Sequence, residues 1–354
     1  MNASGQGVIV YDNGAFVGRF LNRLSYQLFT VSAGVFSLND SAIGCSASNA
    51  GPPLVSIAAD GSMNVCTIVA NIGLVVYDTF VGSWGYSKTV DQNVDKRSDG
   101  YNPYALAVDS SGVGFCVLSD NFSDILSAFI SGSSSLVLEQ VAIGTKTGPA
   151  ILAGVGQHGN CVSVFNLGGQ PSSWEISFSP ASTQQWDPSV LSISNINATI
   201  ANPPTLNVNA NGLGVLAYNL TTDNNVHGRF IHTPNQTVGR DFVIGQGTNP
   251  AVDTDEFGDA FAAWINPQGY VSGAWLPVGG SAWASSSQIS LLPISSGTVP
   301  AITTLNLAEG AIVYAAGNDI RCVFYQLANP DVIKHGVLIN TLKYNNDHRQ
   351  KGIQ

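Results

Sequence analysis

PAVDTDEFGDAFAAW, from Pro250 to Trp264, reads as a short strand, a tight acidic turn closed by Gly258, and a second strand ending on an aromatic residue. The signals are alternating apolar positions on either side of a turn rich in Asp and Gly. The pattern recurs along the chain. NPPTLNVNANGLGVLAY runs from Asn202 to Tyr218, NPYALAVDSSGVGFCVL from Asn102 to Leu118, and GPAILAGVGQHGNCVSVF from Gly148 to Phe165. GPPLVSIAADGSMNVCTIV (Gly51–Val69) and VPAITTLNLAEGAIVY (Val299–Tyr314) complete the set. The anchor prolines Pro53, Pro103, Pro149, Pro204, Pro250 and Pro300 are separated by 50, 46, 55, 46 and 50 residues. A period of that length, with four strand-sized pieces per repeat, is the arithmetic of a propeller blade.

The N-terminal GQGVIVY (Gly5–Tyr11) aligns residue for residue with GLGVLAY (Gly212–Tyr218), so it reads as the second strand of a blade whose first strand is missing. Ala15–Leu21 and Tyr26–Val31 are then its third and fourth strands, and Ser32–Gly51 a looser connection. The expected fold is all-β, a seven-bladed β-propeller with four-stranded antiparallel blades near 1–32, 53–92, 103–145, 149–195, 204–246, 250–293 and 300–342. Residues 343–354 form a polar tail. The missing innermost strand is expected from that tail or from a longer chain.

Composition agrees with short strands and many turns: 38 Gly and only 10% charged residues in 354. A net charge of −10 repels phosphate backbones, and no basic stripe with interleaved aromatics is present, so nucleic acid is not an expected partner. Nothing approaches 18 uninterrupted apolar residues, so no membrane-spanning helix is expected. The five cysteines show no C-x-x-C, which removes zinc and redox motifs and leaves small buried thiols. Low charge with much Ser, Asn and Gly points to an extracellular or surface protein.

The repeat P-x-φ-x-φ-D-x-x-G-x-φ-x-φ-W resembles the bacterial β-propeller repeats of the sialidase-like and related groups, and it covers nearly the whole chain. The complete sialidase Asp-box, S-x-D-x-G-x-x-W, is absent, and only Trp186-Asp187 is similar to a WD40 pair. The resemblance implies blade geometry and says little about chemistry.

Two sets of residues are candidate sites. Asp253, Asp255 and Asp259, with Glu256 among them, resemble an oxygen-rich calcium loop; the simpler reading is aspartates capping a tight turn. Calcium is therefore the one cofactor to consider. Trp84, Trp186, Trp275 and Trp283 could stack on sugar faces, although they share no evident repeat position. Trp264 occupies the aromatic position shared with Tyr11, Phe165, Tyr218 and Tyr314 and reads as core between blades. The histidines make no ligand spacing. A sialidase would need an arginine triad and an activated tyrosine; Arg19, Arg229 and Arg321 all fall on third strands, away from the axis. The expected function is a non-catalytic module presenting loops on one face to a protein or glycan. The alternative is a carbohydrate-active hydrolase or calcium-dependent lectin with its site at a face or the axis.

Overall fold

The structure is a computed structural model. It describes residues 6–12, 24–32, 35–43, 54–57, 63–69, 74–80, 88–91, 104–109, 113–119, 125–131, 137–142, 151–156, 159–166, 173–180, 185–187, 191–199, 202–277, 280, 282–294, 298–305, 309–317, 319–326 and 338–342. These residues form seven separate antiparallel sheets in chain order and no α-helix. No helix among them is long and apolar enough to cross a membrane.

Sheet one comprises Gln6–Asp12, Leu24–Ser32 and Val35–Ile43. Sheet two comprises Leu54–Ile57, Met63–Val69, Leu74–Phe80 and Lys88–Asp91. Tyr104–Val108, Val113–Ser119, Ile125–Ser131 and Val137–Ala142 make sheet three. Ile151–Val155, Cys161–Asn166, Trp174–Ser179 and Leu191–Ile193 make sheet four. Sheet five has Thr205–Val208, Leu213–Asn219 and Asn225–His232, and its outer edge is split into Thr237–Val238 and Phe242–Gln246. Sheet six has Thr248–Thr254, Ala260–Ile265, Val271–Leu276 and Ser287–Gln288. Ala301–Leu305, Glu309–Ala316, Asp319–Gln326 and Leu338–Leu342 make sheet seven.

Sheet one departs from the sequence reading. Gln6–Asp12 pairs directly with Leu24–Ser32, so no strand lies between them, and the expected strand at Ala15–Leu21 falls outside the described residues. The strand expected to be outermost, Tyr26–Val31, is instead the middle one. Val35–Ile43, read as connection, is its outer partner, so the sheet runs past residue 32. A register shift between Leu28 and Phe29, where one extra residue opposes the pair, breaks the two-residue period that would have marked Val35–Ile43 as a strand. The tail, 343–354, also lies outside the described residues.

The core lies between consecutive sheets. Val162, Val164, Trp174, Ile176, Leu216, Tyr218 and Ile231 pack sheet four against sheet five. Val215, Ala217, Val226, Val252, Ala262 and Trp264 pack five against six, and Phe261, Ala263, Ile312 and Tyr314 pack six against seven. Alternate residues of one strand serve opposite interfaces, as the strand period requires: Leu216 and Tyr218 face sheet four while Val215 and Ala217 face sheet six. Trp264 is almost wholly buried, and its indole N–H donates to the Gln246 carbonyl at 2.8 Å. Cys116, Cys161 and Cys322 are buried free thiols.

The first strands of consecutive sheets lie side by side. Polar side chains tie them together there. Asn207 Oδ1 accepts the Thr254 N–H at 3.2 Å and its hydroxyl at 2.7 Å. One sheet on, Asp253 Oδ2 accepts both the N–H and the hydroxyl of Thr304. Asn207 and Asp253 hold the same place in their repeats, three residues after Pro204 and Pro250.

Candidate functional site

The turns fix which residues correspond between sheets. Asp109, Gly156, Asn209 and Asp255 each donate a backbone N–H to the carbonyl four residues on: Val113, Asn160, Leu213 and Asp259. Five residues beyond these carbonyls stand Leu118, Phe165, Tyr218 and Trp264. Each faces a residue of the third strand across the ladder: Phe165 faces Glu175, Tyr218 faces His227, Trp264 faces Ser272, and Tyr314 of sheet seven faces Arg321. An aromatic ring beside a polar side chain therefore recurs at one place in the repeat, turned toward the preceding sheet.

On sheet five this place carries a polar net. His227 is almost wholly buried, with Nδ1 2.8 Å from Asp241 Oδ2 and Nε2 3.1 Å from Asp223 Oδ2. The Tyr218 hydroxyl donates to Asp241 Oδ1 and accepts from Arg229 Nε at 2.8 Å. Arg229 Nη1 donates to the Gly239 carbonyl at 3.2 Å, and its guanidinium also lies 4.0 Å from Asp241. Two features of the backbone place these groups together. His227 and Arg229 are two residues apart on one strand and share a face. The edge strand shifts register beside His227, and Asp241 immediately precedes that strand.

The electrostatics leave the tyrosine unactivated. Burial first, then the hydrogen bond to Asp241, raises the Tyr218 pKa well above the ordinary phenol value. The phenol therefore stays protonated, the opposite of an activated tyrosine nucleophile. The Asn225 backbone N–H, followed by His227, holds the exposed Asp223 carboxyl below its ordinary value. Arg229 and Asp241 remain about one-third exposed, presenting a fixed donor and a fixed acceptor beside the outer edge strand of sheet five. The sequence reading passed over this net because its members are spread from Tyr218 to Asp241. Its one local signal was two basic side chains, His227 and Arg229, at alternate positions where sheet six has Ser272 and Ala274.

The acidic turn behaves as a cap. Asp255 Oδ1 accepts the N–H groups of Phe257 at 3.0 Å and Asp259 at 2.9 Å. Asn209 does the same for Asn211 and Leu213 in the preceding repeat, both at 2.9 Å. Gly258 closes the turn with φ of 95°, a conformation that favours glycine. Asp253 does not turn toward Asp255: Oδ1 accepts the Thr254 N–H and Oδ2 is held by Thr304. Burial pushes the Asp253 and Asp255 carboxyls up, against the hydrogen bonds they accept. Among the described residues, no three His, Cys, Asp or Glu side chains converge on a point that could hold a metal ion.

The tryptophans separate. Trp84 lies outside the described residues. Trp186 packs on Phe115 of sheet three, ring centroids 5.3 Å apart, and donates Nε1–H to Ser127 Oγ at 2.8 Å. Trp283 packs against sheet five, 6.1 Å from Phe242, and its buried Nε1 has no acceptor among the described residues. These two do share a repeat position, contrary to the sequence reading. Each directly precedes a residue, Asp187 or Ala284, whose N–H donates to the penultimate carbonyl of the third strand, Phe178 or Trp275. The loops between them vary in sequence too freely for that correspondence to show in one dimension. Trp275 faces sheet seven, stacked 6.5 Å from Phe261, and among the described residues its buried Nε1 likewise lacks an acceptor.

No protein-family model matches the chain, and no curated protein matches it. Solved structures do. A lectin from Burkholderia pseudomallei, BP39L, superposes with a TM-score of 0.65 at 13% identity over 96% of each chain. The fucose-specific lectin of Aleuria aurantia gives 0.51 at 12% identity, covering 82% of this chain and 94% of that one. A Hadza microbial sialidase, Hz136, gives 0.50 at 10% identity over 86% of this chain and 72% of its own. These are β-propeller-type folds, and the chain shares that fold.

Proposed function

We propose that this chain is a seven-bladed, non-catalytic carbohydrate-binding propeller, each sheet being one blade, that takes sugars at the outer mouths between blades. This replaces loops on one face with clefts between sheets as the binding place. The observation that carries it is the net of Tyr218, His227, Arg229 and Asp241. A sugar hydroxyl both donates and accepts, and a guanidinium beside a carboxylate, each locked by other hydrogen bonds, is preorganised to meet neighbouring hydroxyls. The whole-chain likeness to lectins supports the reading, and an extracellular location fits it.

The test is a glycan array probed with the purified chain, with and without calcium, beside an Arg229→Ala variant. Binding to defined sugars that survives chelation and falls at least tenfold in the variant is expected. Loss of all binding on chelation would return attention to Asp253, Asp255 and Asp259. A blank array would sink the glycan reading in favour of a protein partner.

A further inference from the structure

His227 stands between two carboxylates. Nδ1 is 2.8 Å from Asp241 Oδ2, and Nε2 is 3.1 Å from Asp223 Oδ2 and 3.2 Å from its Oδ1. An ionised carboxylate only accepts hydrogen bonds, so bonding at both ring nitrogens requires a proton on each. That species is the imidazolium. A neutral ring has one N–H and one lone pair, and the lone pair would face carboxylate oxygen. The arrangement is particular to sheet five: sheets three, four, six and seven have Leu126, Glu175, Ser272 and Arg321 at the place of His227.

The two carboxylates are held differently. Asp241 is tied at its other oxygen too, since Oδ1 accepts from the Tyr218 hydroxyl, which itself accepts from Arg229. Asp223 is exposed, on the turn between Leu213–Asn219 and Asn225–His232, where its Oδ1 also accepts the Asn225 N–H at 3.0 Å. That N–H first, then His227, holds the Asp223 carboxyl below its ordinary value, so it stays ionised in the mildly acidic range where a histidine carries two ring protons. Among the described residues, the titratable and charged groups bonded to the ring or to its partners come from four places. They are Asp223 on the turn, Asp241 before the edge strand, Tyr218 across the ladder and Arg229 on the ring's own strand. Sheet four meets this face with the apolar Trp174, Ile176 and Ile193. When the ring gives up one proton, the remaining N–H stays with Asp241, whose position Tyr218 fixes, because the exposed Asp223 exchanges its bond for water.

We infer that His227 is a proton-controlled latch: with two ring protons it ties the turn at 221–225 to the outer edge of sheet five, and with one it keeps Asp241 and releases Asp223. The latch is a property of the chain without ligand and stands apart from the carbohydrate reading. It is closed on the acidic side and opens as pH rises through the range, about 5 to 8, in which histidine changes charge.

The experiment is NMR of the histidine ring nitrogens across about pH 5 to 8, with amide hydrogen exchange over 221–225. It uses wild type, His227→Gln, which assigns the signals, and Asp223→Asn. An asparagine at 223 accepts from Nε2–H or donates to the Nε2 lone pair, so its contact persists in both states. Wild type should show two ring N–H signals for His227 on the acidic side and Nδ1–H alone on the alkaline side. Across that step its amides at 221–225 should exchange about three- to tenfold faster relative to those of Asp223→Asn, the loss of one partly exposed charge-assisted hydrogen bond. One ring N–H throughout, two throughout, or a change of proton with no change in relative exchange would each overturn the latch. Should His227→Gln fail to fold, Asp223→Asn makes the assignment instead, because it alters an exposed turn residue and shifts the Nε2 signal of the same ring.

Discussion

Trp186 and Trp283 occupy one position in two repeats, and among the described residues one has its hydrogen bond while the other does not. Trp186 reaches back to sheet three and finds Ser127. Trp283 reaches back to sheet five, where ladder register puts Gly228 at the place of Ser127. A Cβ on Gly228 would meet the Phe242 ring at 2.9 Å and Ile244 Cδ1 at 3.0 Å, so the volume a serine would need is filled by an aromatic side chain. Phe242 in turn bridges Trp283 to Phe230, 5.3 Å away. The repeat thus conserves the geometry of a tryptophan wedge and lets the interface choose between a hydrogen bond and a larger apolar contact. Packing sets the position, and the polar detail is local.

That comparison can be broken in order of effect. Trp186→Ala and Trp283→Ala should each cost about 2–4 kcal/mol, somewhat below the roughly 3–5 kcal/mol of buried aromatic truncation because both rings are only partly buried. Chemical denaturation would measure this; a loss under about 1 kcal/mol in either would mean that the ring is not a wedge. Gly228→Ser comes next. Overpacking against Phe242 and Ile244 should cost about 1–3 kcal/mol, reduced if the new hydroxyl accepts from Trp283. The double variant with Trp283→Phe tests this, since it should lose that compensation. Trp186→Phe should cost about 0.5–1.5 kcal/mol, whereas Trp283→Phe should be neutral or stabilising, because it removes an unpaired donor. Equal losses in the two phenylalanine variants would erase the distinction.

The smallest effect concerns the paired residues of the inner strands. Asn207 is neutral, while Asp253 is a buried carboxyl whose pKa burial raises. A carboxyl raised in the folded state contributes stability that is full below its unfolded value and is lost as pH rises through the folded one. Asp253→Asn, which copies Asn207, should therefore gain on wild type in melting temperature as pH climbs above the ordinary carboxylate range. Asp223 has the opposite sign: its lowered pKa makes its contribution present at neutral pH and lost on acidification. An Asp253→Asn difference that is flat with pH would show that the hydrogen bonds from Thr254 and Thr304 outweigh desolvation.

Much of the strand plan was legible because both of its signals are local. The hairpins around Asp109, Asn209 and Asp255 follow from apolar alternation and turn chemistry. Val35–Ile43 was missed because a bulge breaks the alternation on which the reading depends. Of the candidate site residues, Asp255 caps the turn, while spacing alone could not say that Asp253 lies in the preceding strand and binds Thr304, 51 residues away. The net around His227 was illegible for the same reason: three strands and a register shift bring its members together.

The amino-acid sequence by itself determined the repeat, the turns and the aromatic position at Phe165, Tyr218, Trp264 and Tyr314, since each depends on neighbours a few residues apart. Only the tertiary structure decided which polar groups meet, that Trp186 has an acceptor, and that Trp283 finds none among the described residues. Those outcomes depend on which side chain of the next sheet lies opposite, and packing between sheets sets that.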